Sequence, residues 1–232
     1  MAVTIPKFPS ITALIIVDMQ EDFCSYNGSL AIPNASEIIR IINKILDLPF
    51  AIKVASKDWH PTSHISFACN HVGKVPYTDT VNTKNISKAE EKKIRLWPKH
   101  CVAGTLGAEF ISELQASKID MVIEKGTEEN VEMYSVFYDV WGKDSGLSMI
   151  LRELKVTDVW IVGVAFDYCV KETAIHSIQE GFNTVVLREA TMATSPENWS
   201  LAEEELKNSG VKVLSIDDDD VHRVLAGSHL SF

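Results

Sequence analysis

Six short runs rich in Val and Ile recur along the chain, and stretches with helical spacing of their apolar residues lie between most of them. The runs are "ALIIVD" (13–18), "AIKVAS" (51–56), "DMVIEK" (120–125), "DVWIVGVA" (158–165), "NTVVLRE" (183–189) and "VKVLSI" (211–216). Near-continuous apolar runs of this length read as strands buried on both faces rather than as half-solvated antiparallel ones. The helical stretches between them are "ASEIIRIINKILDL", with Asn34 or Ser36 as a cap, "GLSMILRELK", "CVKETAIHSIQEG" closed by Gly181, and "PENWSLAEEELKNSG" closed by Gly210. Regular alternation of strand and helix predicts right-handed crossovers and helices on both faces of one sheet. The expected fold class is α/β: a three-layer α/β/α arrangement around a six-stranded, mainly parallel sheet.

At 232 residues the chain has the length of a single α/β domain, so one domain over 1–232 is the expectation. Its 22 basic and 32 acidic residues give a net charge of −10, and the basic residues form no stripe, which argues against a nucleic-acid partner. The acidic run Asp217 to Asp220 reads as a solvated turn. Membrane insertion is not expected, because no apolar run approaches the roughly 20 residues a spanning helix needs. The N-terminal "MAVTIPKFPS" lacks the layout of a secretory signal. Four cysteines without CxxC spacing (Cys24, Cys69, Cys101, Cys169) fit free thiols in a reducing compartment. Cytoplasm is the expected location, with nuclear or partner-carried peroxisomal placement as alternatives, since "SHL" is internal and not a terminal address.

Residues 57 to about 107 break the alternation. A long connection with few regular elements inside a compact domain commonly lines a site. Its charged piece "ISKAEEKKIR" is expected to be an exposed turn or short helix.

Ligands in parallel α/β sheets gather at the carboxyl ends of strands. Three polar residues fall there: Asp18 after "LIIV", Lys125 after "MVIE" and Cys169 just past "WIVGVA". A helix start and a neighbouring ammonium both lower a thiol pKa, and a nearby carboxylate can take and return its proton. Taken singly, each has a plainer role: Cys169 a small buried hydrophobe, Asp18 a turn cap, Lys125 a surface residue.

In "KDWHPTSH", Asp58 and His60 stand two apart, on one face of an extended chain. A divalent ion needs a further ligand, and "LWPKHC" offers His100. His64 and His71 stay open as ligands, substrate contacts or surface residues, whereas His176, His222 and His229 suggest no site.

The segments "LIIVDMQEDF", "GSLAIPNA", "DWHPTSHISFACNH", "LWPKHCVAGTLGAEF", "EKG", "YSVFYD" and "GVAFDYCVKETA" followed by "GFNTVVL" appear in this order across nearly the whole chain. Together they resemble the fungal-type nicotinamidases of the isochorismatase-like cysteine hydrolase superfamily. The resemblance implies an isochorismatase-like domain with an active-site insertion at about 57–107. It implies a catalytic triad of Asp18, Lys125 and Cys169, and one divalent metal on Asp58, His60 and His100, usually zinc, with iron and manganese as alternatives. Ser66 is similar to a residue that touches the metal's bound water. A cis peptide before Ala165 would turn the Ala165 amide, with that of Cys169, into an oxyanion hole. Phe23, Trp97, Tyr134 and Tyr168 resemble the aromatic residues around the ring pocket, with core packing as the competing role for Trp97 and Tyr168. Two positions depart from the common pattern: Glu21 stands where Asn is common and Phe166 where Thr is often found.

The implied activity is hydrolysis of nicotinamide to nicotinate and ammonia through a cysteine thioester, in NAD salvage. The rival readings are a superfamily hydrolase of another small amide, such as one like pyrazinamide, and an inactive scaffold member. Association into a homo-oligomer is compatible with such a domain and not legible in its residues.

Overall fold

The computed structural model describes residues 10–85, 88–219 and 221. Its eight strands are β1 (Thr12–Val17), β2 (Ile52–Asp58), β3 (Thr80–Asn85), β4 (Glu90–Arg95), β5 (Met121–Lys125), β6 (Asp158–Val164), β7 (Asn183–Met192) and β8 (Lys212–Leu214). The α-helices are α1 (Glu21–Cys24), α2 (Ile39–Ile45), α3 (Leu147–Glu153), α4 (Lys171–Gln179) and α5 (Trp199–Asn208).

β1 is apolar on both sides because both sides are covered. Leu14 and Ile16 pack with Ile39, Ile42 and Ile45 of α2 on one face. Ala13, Ile15 and Val17 pack with Leu147 and Leu151 of α3, Ala174 of α4 and Leu206 of α5 on the other. Each such Leu, Ile or Val buried contributes about 1.5–3 kcal/mol before conformational entropy is set against it.

The main sheet runs β5-β2-β1-β6-β7-β8. All five pairings in it are parallel, so the expected mainly parallel sheet is wholly parallel. The chain winds outward from β1 through β2 to β5, then returns to β6 on the other side of β1. The crevice above β1 and β6 is therefore the topological switch point. The edge strands differ from the doubly buried expectation: β5 exposes Val122 and Glu124, and β8 is only partly covered, because an edge strand lacks a neighbour.

In the long connection, "ISKAEEKKIR" makes the expected exposed turn only at Lys88 and Ala89 and then continues as a strand. Glu90–Arg95 forms β4, antiparallel to β3, with Thr83 and Ile94 turned inward and Lys84 paired to Glu91 at 3.0 Å. Two-residue alternation hides in a stretch that is polar on its outer face, which makes it read as a turn. Ile86 and Ser87 lie outside the described residues, as do Asp220, His222, His229 and "SHL".

Helix boundaries follow the cap residues only in part. The stretch after Asn34 begins as a 3-10 turn (Ala35–Ile38) before α2, and Asn34 caps it with φ +62° but no side-chain hydrogen bond. Gly181 and Gly210 close α4 and α5 at φ +88° and +89°, the left-handed C-terminal position that favours glycine.

Candidate active site

Asp18, Lys125 and Cys169 arrive at one point from the ends of β1, β5 and β6. Lys125 Nζ lies 2.9 Å from Asp18 Oδ2 and 3.4 Å from Cys169 Sγ. A carboxylate oxygen of Asp18 and the Cys169 sulfur are within 4.8 Å of each other. Asp18 turns out of the strand at φ +50°, and Ser56 of β2 holds it twice: its Oγ accepts the Asp18 amide at 3.2 Å and donates to Oδ1 at 2.6 Å. Among the described residues Oδ2 has no aligned hydrogen bond, and it faces the Lys125 ammonium. Asp18 and Lys125 are buried, so neither the turn-cap nor the surface alternative describes them.

The electrostatics differ from an activated thiolate at rest. Burial pushes the Cys169 thiol well above its ordinary value; Lys125 opposes this, and the Asp18 and Asp58 carboxylates reinforce it. Asp18 is itself raised by burial, against the pull of Lys125. Lys125 is lowered by burial but raised further by Asp18, Asp58 and Cys169, leaving a firmly charged ammonium. Burial first, and then the two carboxylates next to the sulfur, outweigh the lowering by Lys125. Cys169 also sits within a π-helical turn (Phe166–Val170) that precedes α4 rather than on its first turn, and helix dipoles act within about one turn. The Val164–Ala165 peptide is cis, as the resemblance implies.

Lys125 is shared. It donates a close hydrogen bond to Asp58 Oδ1 as well as facing Asp18, joining the second cluster to the first. Burial would raise the Asp58 carboxyl, but Lys125, His60 and His100 hold it well below the usual carboxylate range.

Asp58, His60 and His100 are all buried and offer one ligand atom each within 4.8 Å of one another. His60 Nδ1 lies 2.8 Å from the Gly126 carbonyl, and His100 Nδ1 lies 2.8 Å from that of Pro98. A carbonyl only accepts, so both Nδ1 atoms carry the proton and both Nε2 lone pairs are free. Those Nε2 atoms lie 3.4 Å and 3.6 Å from Asp58 Oδ2. Two imidazoles whose Nε2 atoms converge on one carboxylate are a donor set that fits a divalent cation. Burial also lowers the His60 pKa, favouring the neutral ligand form.

A small pocket opens onto this pair of clusters and is lined by Phe23, Trp97, Tyr134 and Tyr168 together with Asp58, His100, Ala165 and Cys169. All four aromatic candidates thus face the site, and core packing is a second role rather than an alternative for Trp97 and Tyr168. Trp97 Nε1 donates to Tyr134 Oη at 3.1 Å, and the Trp97 and Tyr168 rings meet edge-on at 4.8 Å.

Leu30, Ile32, Glu132 and Thr194 also line the pocket. No spacing signal in their segments marked them, because they reach it through tertiary packing. Glu132 is a buried carboxyl whose pKa is raised by burial. His64 stacks on His60 at 4.2 Å and uses its nitrogens on Ser66 (2.7 Å) and the Val131 carbonyl (3.1 Å); burial first of all lowers its pKa to about 4. Ser66 is thereby paired with His64. His71 binds the Ile65 carbonyl at 2.7 Å, and both histidines brace the loop. The two departures lie off the pocket wall: Phe166 stacks flat on Trp199 of α5 at 3.8 Å, and Glu21 accepts the Ser112 amide at 3.3 Å.

A profile of the isochorismatase domain matches residues 12–218. A nicotinamidase of Schizosaccharomyces pombe is 39% identical over 209 residues, which are 89% of this chain and 94% of the relative. The structure of yeast nicotinamidase bound to the inhibitor nicotinaldehyde aligns with a TM-score of 0.84 at 35% identity, covering 88% of this chain and 99% of that one. A pyrazinamidase of Pyrococcus horikoshii in complex with zinc aligns with a TM-score of 0.68, again at 35% identity and over 88% and 99% of the two chains. With its strand-end Asp, Lys and Cys beside a two-histidine, one-carboxylate set, the chain belongs to the isochorismatase family, among its nicotinamidases.

Proposed function

We propose that this chain hydrolyses the carboxamide of nicotinamide, giving nicotinate and ammonia, with Cys169 as the nucleophile and Asp18 as the proton carrier. The observation that carries the reading is the placement of Cys169, Asp58 and His100 on the walls of one aromatic pocket, with His60 beside Asp58. A flat heteroaromatic ring with a coordinating nitrogen and a carboxamide matches those two chemistries at once.

Because burial keeps the thiol protonated at rest, the sulfur becomes nucleophilic only as its proton passes to Asp18, whose Oδ2 has no competing aligned hydrogen bond. The Lys125 ammonium, 3.4 Å from the sulfur, stabilises the charge that develops there. Sγ bonds to the amide carbon, and the carbonyl oxygen takes the negative charge beside the Ala165 and Cys169 amides. The C–N bond then breaks as Asp18 returns the proton, releasing ammonia and leaving a thioester. Water gives a proton to Asp18 as it adds to the thioester. Collapse frees nicotinate, and the proton returns to the sulfur.

Asp58, His60 and His100 would hold one divalent cation, zinc in our reading, which would supply a Lewis-acidic centre for a ring nitrogen. Phe23, Trp97, Tyr134 and Tyr168 enclose the ring and exclude water, so that the carboxamide is presented to the sulfur at high effective concentration. The activity places the chain in NAD salvage, and the cytoplasm is the location this reading favours.

The experiment is ammonia release from nicotinamide by zinc-loaded protein, with Cys169→Ala in parallel. Release by the wild type alone supports substrate and nucleophile. Release by neither protein, with zinc measured as bound, rejects nicotinamide as substrate.

A further inference from the structure

β1 stops pairing with β2 at Ile16 and Ala55, three residues before β2 ends at Asp58. Asp58 is therefore covered by β5 on one side only, and its own N–H and C=O would be left without a strand partner on the β1 side. The Gln20 side chain takes that place. Its Oε1 accepts the Asp58 amide at 2.8 Å, and its Nε2 donates to the Asp58 carbonyl at 2.8 Å. The second Nε2 proton goes to the Ala108 carbonyl at 2.9 Å. Gln20 is fully buried, and both its donors and its acceptor are used.

Two residues later, Asp22 acts on the other side of the metal-ligand set. Its Oδ2 accepts the amide of Cys101, the neighbour of His100, at 2.7 Å. Cys101 stands at φ +44°, a left-handed conformation that a non-glycine residue keeps only when something holds it. Asp22 also rests against Gly107, where an added Cβ would sit 2.2 Å from Oδ2. The segment Gln20–Asp22 thus grips the backbone at Asp58 and beside His100, and only Met19 separates it from Asp18.

We propose that Gln20 and Asp22 are positioning residues for the metal centre, Gln20 acting as a side-chain substitute for the missing stretch of β1. The inference rests on Asp58, His60 and His100 as the cation-holding set. Gln20 fixes Asp58 through both of its backbone groups, and Asp22 fixes the turn that carries His100, so the carboxylate and the imidazole are set toward each other before any cation arrives. The chemistry requires an amide at residue 20: a carboxylate of the same shape supplies no donor and faces two carbonyl oxygens. At residue 22 it requires an acceptor toward the Cys101 amide; the other oxygen accepts the Ser29 amide at 3.2 Å, a contact outside the metal-ligand set that Asn would give up.

The test is zinc affinity by chelator competition on the full chain, with the thermal midpoint of the metal-free protein measured alongside. Gln20→Glu should lower zinc affinity about 10–100-fold, the loss typical when partners of metal ligands are removed. Asp22→Ala should weaken it in the same direction and Asp22→Asn should restore most of it, since Asn keeps an acceptor for the shorter bond from the Cys101 amide. With zinc saturating, kcat should stay near wild type, and with zinc limiting, the apparent KM for nicotinamide should rise. A folded Gln20→Glu protein with wild-type zinc affinity overturns the proposal. If that variant does not fold, equal affinities of Asp22→Ala and Asp22→Asn overturn it instead. Wild-type protein that releases ammonia while binding no zinc would reject the metal reading itself, a result distinct from variants that match the wild type.

Discussion

The His60 imidazole occupies the space that a side chain at Gly126 would need. Its Nδ1 lies 2.8 Å from the Gly126 carbonyl, and a Cβ on that glycine would stand 2.3 Å from His60 Cε1. The glycine's φ of +64° adds a second reason for its identity. Gly126→Ala should therefore cost about 1–3 kcal/mol of stability from backbone strain and push the imidazole off its carbonyl partner. Urea unfolding and zinc titration check both effects, and unchanged zinc binding would show that the ring can shift without consequence.

Removing the thiol should separate chemistry from binding. Cys169→Ala should reduce ammonia release at least about a thousandfold, as loss of a nucleophile does in hydrolases of this kind, while zinc content stays at the wild-type level. Metal analysis and an ammonia assay on the same preparation decide it.

Lys125 holds two buried carboxylates apart, so its loss leaves Asp18 and Asp58 facing each other unpaired. Lys125→Met keeps the volume and should cost about 3–5 kcal/mol, the range for breaking a buried ion pair from one side. Denaturant unfolding measures the loss, and a change within error of zero would mean that one of the carboxyls takes up a proton at no cost.

The thiols should separate by pH. Burial, with lesser help from nearby carboxylates, raises Cys24 to about 12, and Cys101 also lies well above its ordinary value of 9.0. Exposed Cys69 should alkylate readily at pH 8, with Cys24 and Cys101 inert and Cys169 still gaining reactivity above pH 9. A folded-state pKa above the unfolded one means that the native chain keeps protons the unfolded chain has released. The contribution is thus complete below pH 9 and fades as pH rises toward 12. Cys24 alone should account for about 2 kcal/mol of lost stability by pH 10.5. Urea unfolding at pH 8 and 10.5 should show a smaller drop for Cys24→Ala.

The metal-binding set should survive metal removal, because its hydrogen bonds run to Gly126, Pro98 and Gln20 within the chain. Chelated protein should remain folded, lose turnover through a raised KM and recover on adding zinc. Excess zinc at about 100 times Kd should stabilise the fold by about 2.7 kcal/mol, seen as a zinc-dependent thermal midpoint.

The sequence by itself determined the layer order and the strand ends. Apolar runs of strand length between helical stretches have few arrangements other than a covered parallel sheet, and that sheet brings Asp18, Asp58, Lys125 and Cys169 to one rim. Local patterns could not show what depends on distance through space. The hairpin of β3 and β4 stayed hidden because its apolar contacts are few, and Glu132 and Thr194 because the chain brings them to the pocket from far away in sequence. Only the tertiary structure decided that Lys125 serves Asp18 and Asp58 together, and that Gln20 completes the sheet beside Asp58. It also set burial and two carboxylates against the helix start and the ammonium at Cys169. A helix start and an ammonium are visible in the sequence, but the burial and the two carboxylates that outweigh them exist only once the strands have met.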